Sequence, residues 1–205
     1  MIKVSEILLA VRSRLNDTDS SNYRWSNEEL LDYINSSLAD IGKELECFTH
    51  KEFLYVKEDT DRYSLPHDIL RVLSVTIDNK PITIKSYEYM SKHKHNIFDL
   101  CVYFDEQSLF LYPTKKVEVG KKVEVDYKYI YQIEKKEDDI NISKLAKKAI
   151  LFHTCHLAFQ INTSEKNSGK STHYLNLYDK ELSTLRYTFF KNKHSKDIKQ
   201  KFKKV

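Results

Sequence analysis

The stretch Trp25–Leu45, WSNEELLDYINSSLADIGKEL, carries the clearest structural signal in the chain. Ser26 is followed three residues later by Glu29, which is the spacing of a capping box at a helix N-terminus. Apolar residues then recur every three or four positions and form one stripe, at Leu30, Leu31, Ile34, Leu38, Ile41 and Leu45. The pattern predicts an amphipathic helix of about 20 residues, roughly 30 Å long, with one buried face.

Helical patterns also occur on both sides of this stretch. Before it, Ser5–Leu15 shows helical spacing of its apolar residues, and Ser5 is placed to cap that helix. Two further helices are predicted near the end of the chain, over about 141–161 and 172–192. The first carries Leu145, Ala149, Phe152, His156 and Phe159, and the second carries Tyr174, Leu177, Tyr178, Leu182, Leu185 and Phe189. The polar segment NTSEKNSGKS predicts a break between them.

Between the two helical regions the apolar period changes to two. Every second residue is Val or Tyr, at Val123, Val125, Tyr127, Tyr129 and Tyr131, and charged residues stand between the first four. This pattern predicts a strand with one buried face. Ile69–Ile77 is rich in β-branched residues and is followed by an Asp-Asn-Lys turn. The order of elements predicts an α+β fold in which a four-helix unit, of two N-terminal and two C-terminal helices, holds an antiparallel β-sandwich or barrel-like insertion.

This order also predicts the division of the chain into segments. We expect an N-terminal helical pair over residues 1–48 and an antiparallel β insertion over 49–135. A C-terminal helical pair over 136–192 completes the helical unit, and residues 193–205 form a basic tail.

Glycine and proline are scarce, with three of each in 205 residues. Gly42, Gly120 and Gly169 stand far apart, so the chain holds neither a GxGxxG dinucleotide loop nor a Walker-type phosphate loop. The three cysteines form no CxxC pair, which gives no zinc-ribbon pattern and predicts reduced, mostly buried thiols. No run of about 18 apolar residues occurs. We therefore expect no cofactor and no membrane contact.

Candidate catalytic and metal-binding residues concentrate at His153, Cys155 and His156. On a helix, His153 and His156 share a face, but a zinc site needs three or four convergent ligands. The side chains of Cys155 and His156 diverge by about 100° as helical neighbours and cannot share a proton. We therefore expect no catalytic residues, no metal site and no enzymatic activity, with a hydrolase that uses these three residues as a remaining alternative.

The positive charge of the chain is concentrated at its end. Residues 191–205, KNKHSKDIKQKFKKV, hold seven Lys and one Asp and so carry +6, whereas the whole chain carries +4 and the rest therefore −2. The lysines are interleaved with Ile198 and Phe202. This arrangement suits a phosphate backbone, an acidic groove on another protein, or a solvated end without a partner.

Two stretches of the sequence resemble the head-to-tail adaptor proteins of tailed bacteriophages, also called connector, head-completion, gatekeeper or tail tubular A-like proteins. The first is Val4–Ile41, where the family's capped, Leu-rich helix is matched by Trp25, Ser26, Glu29, Leu30, Leu31 and Ile34. The second is Tyr63–Ile82, where a Y-x-LP-x-D element is matched by Tyr63, Leu65, Pro66, Asp68, Ile69 and Val72. The polar insertion Tyr87–Asn96 and the long lysine tail depart from the family's pattern.

The resemblance implies a structural virion protein that forms a ring, commonly of twelve copies, between the portal protein and the downstream nozzle or tube protein of the tail. Such a ring surrounds the DNA channel without sequence-specific contact. It lies at the head–tail junction of the virion after assembly in the host cytoplasm. The family's helical part typically faces the portal, and its β part faces the next tail component.

The charged end supplies the candidate partner-binding residues. We hypothesise that the last helix and the tail bind the portal or a neighbouring subunit, through Phe189, Phe190, Lys193, Lys199, Lys201, Phe202 and Lys203. The alternative function is a DNA-binding or packaging accessory protein that acts through the same basic C-terminal tail. A steep loss of DNA affinity with added salt would favour this alternative over the adaptor.

Overall fold

The structure is a computed structural model that describes residues 1–105, 107–160 and 165–201. Within these ranges the chain contains five α-helices and mainly antiparallel sheets, which confirms the predicted α+β class. The chain divides into two compact units. Unit 1 comprises Met1–Cys47 together with the chain from Tyr131 onward, and unit 2 is Phe48–Ile130.

The bounds of the secondary structure elements follow in chain order. The helices are α1 (Val4–Leu15), α2 (Asn27–Leu45), α3 (Tyr87–His93), α4 (Lys147–Gln160) and α5 (Glu165–Lys201). The strands are β1 (Ile2–Lys3), β2 (Thr49–Tyr55), β3 (Arg62–Ser64), β4 (Ile69–Ile77), β5 (Lys80–Pro81), β6 (Thr83–Lys85), β7 (Cys101–Asp105), β8 (Ser108–Tyr112), β9 (Lys122–Tyr129) and β10 (Asp139–Ile140). Single 3-10 turns lie at Lys94–Asn96, Thr114–Lys116 and Lys144–Ala146.

Helix α2 of unit 1 has the structure that its sequence predicts. The Ser26 hydroxyl accepts the Glu29 backbone N–H at 3.1 Å, and a Glu29 carboxylate oxygen accepts the Ser26 backbone N–H at 2.7 Å. The side chains of Leu30, Ile34 and Leu38 are fully buried. The capping box thus fixes the first turn and the apolar stripe supplies the buried face.

Helix α4 is buried on all sides rather than along one stripe. Every residue from Ala149 to His156 is buried, and the helix contacts α1, α2 and α5. Leu145, which we expected in the apolar stripe, is 59% exposed. It lies in a 3-10 turn whose Leu145 N–H is capped by the Ser143 hydroxyl, so α4 begins only at Lys147. A helix that is apolar all round is typical of the centre of a helical unit.

The first helix starts earlier than predicted, and Ser5 is not its cap. Ile2–Lys3 pairs with β10 as the short strand β1, and the Val4 N–H donates to the Asp138 carbonyl at 3.1 Å. Lys3 is the residue at the cap position, without a capping side chain. The helix therefore begins before Ser5, and its first N–H is satisfied by a backbone carbonyl of another segment rather than by a capping side chain.

The last helix is much longer than the predicted span of 172–192. It begins at Glu165, so the predicted break and Gly169 lie partly inside it, and it continues to Lys201 through most of the segment predicted as a tail. A Cβ placed on Gly169 would meet no atom within 4 Å, so this glycine serves no close contact. The polar composition of this segment reflects helical exposure rather than a loop.

Unit 2 consists of two four-stranded sheets that share one apolar core. The strand orders are β2-β9-β4-β5 and β3-β8-β7-β6. Alternate residues of β9 and β4 are buried on one side of the core, among them Val123, Val125 and Val75, and Val102 and Leu111 are buried from the other sheet. Strand β9 ends at Tyr129, so Tyr131 lies outside the predicted alternation, in unit 1.

One strand pair departs from the predicted antiparallel arrangement, because β6 and β7 are parallel. The segment between them forms α3 and a 3-10 turn. Parallel neighbours need a crossover of about a dozen residues or more, usually with a helix. The polar insertion Tyr87–Asn96 is therefore the crossover that makes this pair parallel.

The Tyr63-x-Leu65-Pro66 element closes one end of strand β3. Tyr63 is buried, and its hydroxyl donates to the Thr60 carbonyl and accepts the Lys57 N–H, each at 3.1 Å. Leu65 is buried and Pro66 is half-buried.

The Tyr129 N–H donates to the Phe48 carbonyl at 3.3 Å, so the chain enters and leaves unit 2 at paired positions.

Candidate partner-binding site

Helix α5 positions the residues that the sequence predicts for partner binding. Its 37 residues correspond to a length of about 55 Å. Ser171, Tyr178, Leu182 and Leu185 are buried along one side of it. Beyond Leu185 the helix runs on for sixteen residues to Lys201, and Tyr187 is already 68% exposed.

The part of α5 beyond Leu185 is called here its distal half. The charged side chains at the start of this distal half have partners within unit 1. Arg186 forms an ion pair with Glu44, at the end of α2. The Lys191 ammonium lies 5.7 Å from the centre of the Tyr187 ring. The ion pair joins α5 to α2, whereas the contact between Lys191 and Tyr187 lies within α5.

The predicted partner-binding residues lie along and just past this distal half. Phe189 is half-buried. The backbone of α5 carries Phe190, Lys193, Lys199 and Lys201 on one continuous helix. Phe202 and Lys203 lie outside the described residues. Residues 191–201 hold five Lys and one Asp, so the helix brings a strongly basic sequence onto one rigid element.

The motif residues around Trp25 belong to a buried ionic network that the sequence analysis missed. Arg12 donates to Asp17 at 2.5 Å, to the Trp25 carbonyl at 3.1 Å and to the Asn27 side-chain oxygen at 2.8 Å. The other carboxylate oxygen of Asp17 accepts the Arg24 N–H at 2.8 Å. The network fixes the loop between α1 and α2, and Trp25 packs edge-on against Phe159 at 6.3 Å.

A signal for this network was present in the sequence. Arg12 stands four residues after Leu8, within the apolar spacing of α1, and both side chains are buried. An arginine on the buried face of a helix requires an anionic partner. Asp17 is that partner, five residues further on.

The two histidines of α4 occupy helix–helix contacts. The Nδ1 of His156 lies 2.9 Å from the Ser171 hydroxyl on α5, and its Nε2 lies 3.0 Å from the Gln160 amide nitrogen. His153 stacks on the Tyr178 ring at 4.3 Å, with its Nε2 3.6 Å from an Asp40 carboxylate oxygen. Burial lowers the pKa of His153, although the Asp40 charge opposes this shift.

Cys155 is fully buried beside these histidines. Burial raises the pKa of its thiol to about 12, which disfavours the thiolate that nucleophilic chemistry requires. None of the three cysteines forms a disulfide; Cys47 is half-buried and the other two are buried. In the described ranges, no group of three or more His, Cys, Asp or Glu side chains is placed to hold a metal ion. Nor does any helix there have the length and apolar character to cross a membrane.

Together these features define an α+β protein in which a β unit is inserted between two helical segments, with a long basic helix at the end of the helical unit. A model of the SU10 adaptor protein family matches residues 2–196, and the chain belongs to that family. The membership confirms the resemblance to phage head-to-tail adaptors and implies a structural adaptor role in a phage virion. A search of curated proteins gave no match.

Proposed function

We propose that the chain is a head-to-tail adaptor that forms a ring between the portal and the downstream tail protein and surrounds the DNA channel. The distal half of α5 and the residues after it bind the portal or the neighbouring adaptor subunit. The observation that carries this proposal is the placement of a sequence with five Lys and one Asp on the backbone of one continuous helix that runs to Lys201.

Family membership supports the adaptor role, and the geometry of α5 supports the binding mode. A preformed helix loses less conformational entropy on binding than a disordered tail of the same sequence. The basic residues favour an acidic surface on the partner, and the phenylalanines provide apolar anchors. In this proposal the helical unit faces the portal, and the β insertion faces the tail.

The test is assembly of the full chain with its portal protein, followed by electron microscopy. A closed ring on the portal supports the adaptor, and a chain that remains monomeric with the portal contradicts it. A chain that ends at Lys191 tests the binding mode and is expected to lose portal affinity at least tenfold. Charge reversal of the exposed Lys115 and Lys116 of unit 2 is the matched control and is expected to retain portal affinity.

The charge of +6 in residues 191–205 favours one second candidate, a DNA-binding or packaging accessory protein. Phosphate contacts release counterions, so its affinity for duplex DNA should fall steeply between about 50 and 200 mM salt. Ring assembly that persists across this salt range, with weak DNA binding throughout, would favour the adaptor.

A further inference from the structure

Phe98 of unit 2 is the most exposed large apolar side chain in the described part of the chain, at 75%. It follows the 3-10 turn Lys94–Asn96 and precedes β7. Its neighbour Ile97 packs against the small cluster around Met90, and Leu100 packs against the core shared by the two sheets. Phe98 is therefore held outward on a loop that is anchored on both sides.

The same unit carries an apolar cleft of about 270 Å³. Its lining includes Leu70, Arg71, Val72, Ile84, Phe104 and Gln107. Leu70 and Ile84 are 37% and 40% exposed, although both are large apolar residues. The cleft thus offers an apolar surface with a guanidinium beside it.

Phe98 and the cleft belong to different places on one unit. Phe98 lies three residues before the first residue of β7, whereas Phe104 and Gln107 lie at the end of that strand and in the turn beyond it. The residue after Phe98 is the exposed Asp99, whose charge is opposite to that of Arg71. The two surfaces are complementary both in apolar character and in charge.

We propose that Phe98 of one copy occupies the cleft of the next copy, with Asp99 placed against Arg71. This inference rests on the proposed ring. The two contacting surfaces differ, so the interface is heterologous, and a heterologous interface forms a closed ring when its rotation permits. A pre-positioned aromatic anchor in an apolar pocket is the usual form of an interface hot spot.

The test uses two variants of the full chain, Phe98→Asp and Leu70→Asp. The first removes the anchor and keeps the cleft, and the second keeps the anchor and alters the cleft. We expect each variant to self-associate at least tenfold more weakly than the wild type in sedimentation velocity. Circular dichroism checks that both remain folded, and Val119→Asp, which alters another exposed residue of unit 2, is expected to retain wild-type assembly.

Mixing the two variants provides the sharper measurement. One intact interface remains in the mixture, between the anchor of the Leu70→Asp copy and the cleft of the Phe98→Asp copy, so we expect dimers and no larger species. A mixture that remains monomeric overturns the inference. In the same way, Asp99→Arg should weaken assembly, and unchanged assembly of this variant counts against the pair.

Failure of this inference is distinguishable from failure of the adaptor function. Variants that still form complete rings on the portal overturn the proposed interface but are consistent with the adaptor function. A benzoylphenylalanine at position 98 identifies the occupant within the portal-bound assembly. Crosslinks to the Leu70–Val72 segment of a second copy support the inference, and crosslinks to the portal or to a tail protein overturn it.

Discussion

The two units of the molecule differ in how many polar or charged residues they bury. Of the eight polar or charged residues buried in the described ranges, seven belong to unit 1: Arg12, Asp17, Ser37, His153, Thr154, His156 and Ser171. Unit 2 contributes only Ser108. Its shared core is built of apolar residues and of tyrosines such as Tyr63, whose hydroxyl is hydrogen-bonded.

The difference follows from the geometry of the elements. Successive residues of a strand point to opposite faces, so β9 can bury Val125 and leave Asp126 partly exposed without conflict. A helix surrounded by other helices, as α4 is, has no such free face. Its polar residues must find partners inside, as Thr154 does with the Ser37 hydroxyl at 3.2 Å. The stability of unit 1 therefore depends on particular polar pairs, whereas that of unit 2 depends on the alternation of buried and exposed residues along its strands.

The largest effect that tests this difference is expected from Arg12→Leu in unit 1. The change leaves Asp17 buried without its cation, which typically costs about 3–5 kcal/mol. Urea unfolding followed by fluorescence is suited to this variant, because Trp25 is the only tryptophan in the chain and lies in the same network. Arg186→Leu, at an exposed ion pair, is the control, and an equal loss in both variants would contradict a special role for the buried pair.

In unit 2 the corresponding test is a cavity in the shared core. Leu111 is 1% exposed, and Leu111→Ala is expected to cost about 2–5 kcal/mol through lost burial and the space left behind. Hydrogen exchange of the amides in β7, β8 and β9, resolved by mass spectrometry, measures the loss. The same substitution at Leu73, which is 42% exposed, should change exchange little. A similar increase in exchange at the two positions would contradict a larger contribution of Leu111 to the stability of the core.

A smaller effect is expected at the start of α2. Ser26→Ala removes the acceptor of the Glu29 N–H and should destabilise the protein by about 1 kcal/mol. Ser36→Ala, at an exposed position in the middle of the same helix, should be neutral or slightly stabilising because alanine is the better helix former. Thermal unfolding of both variants gives the comparison, and a loss of equal size at Ser36 would exclude capping as the cause.

The smallest effect at neutral pH concerns His153. Burial lowers the pKa of its imidazole in the folded state, with Asp40 and Asp179 opposing the shift and His156 adding to it. The unfolded chain therefore binds a proton first, near a pH of about 6.5. Stability should be complete above that pH and should fall as the pH decreases through the folded pKa.

Urea midpoints between pH 7.5 and 5 measure this dependence. His153→Gln should flatten it, since the replacement does not titrate. His173→Gln, at an exposed position on α5, controls for the loss of a histidine. A pH dependence that survives unchanged in His153→Gln would show that another group is responsible.

Much of the fold was predictable because local signals and tertiary contacts agree. The capping box at Ser26, the stripe of α2 and the strand Ile69–Ile77 have the form that their residues indicate. Some predictions failed because a distant segment decided the local structure. The start of α1 is an example, because the Val4 N–H donates to the Asp138 carbonyl at 3.1 Å. The sequence around Val4 contains no sign of that partner.

The candidate site was predictable only in part. Clustered lysines identify a basic end from composition alone, but they do not reveal that a helix continues to Lys201. Nor does composition pair Phe98 with a cleft, since that cleft is assembled from residues as far apart in sequence as Leu70 and Gln107. Surfaces formed by distant segments need the fold before they become visible.

The paired entry and exit of unit 2, at Phe48 and Tyr129, has a consequence for the timing of synthesis. Unit 2 is one continuous stretch and is complete once Ile130 has been added. At about 5–20 residues per second, the ribosome needs roughly 1.5–6 s more to add the chain up to Gln160, the end of α4. During that interval the apolar stripe of α2 is not yet covered by α4. An unfinished chain with this apolar surface exposed is prone to aggregation.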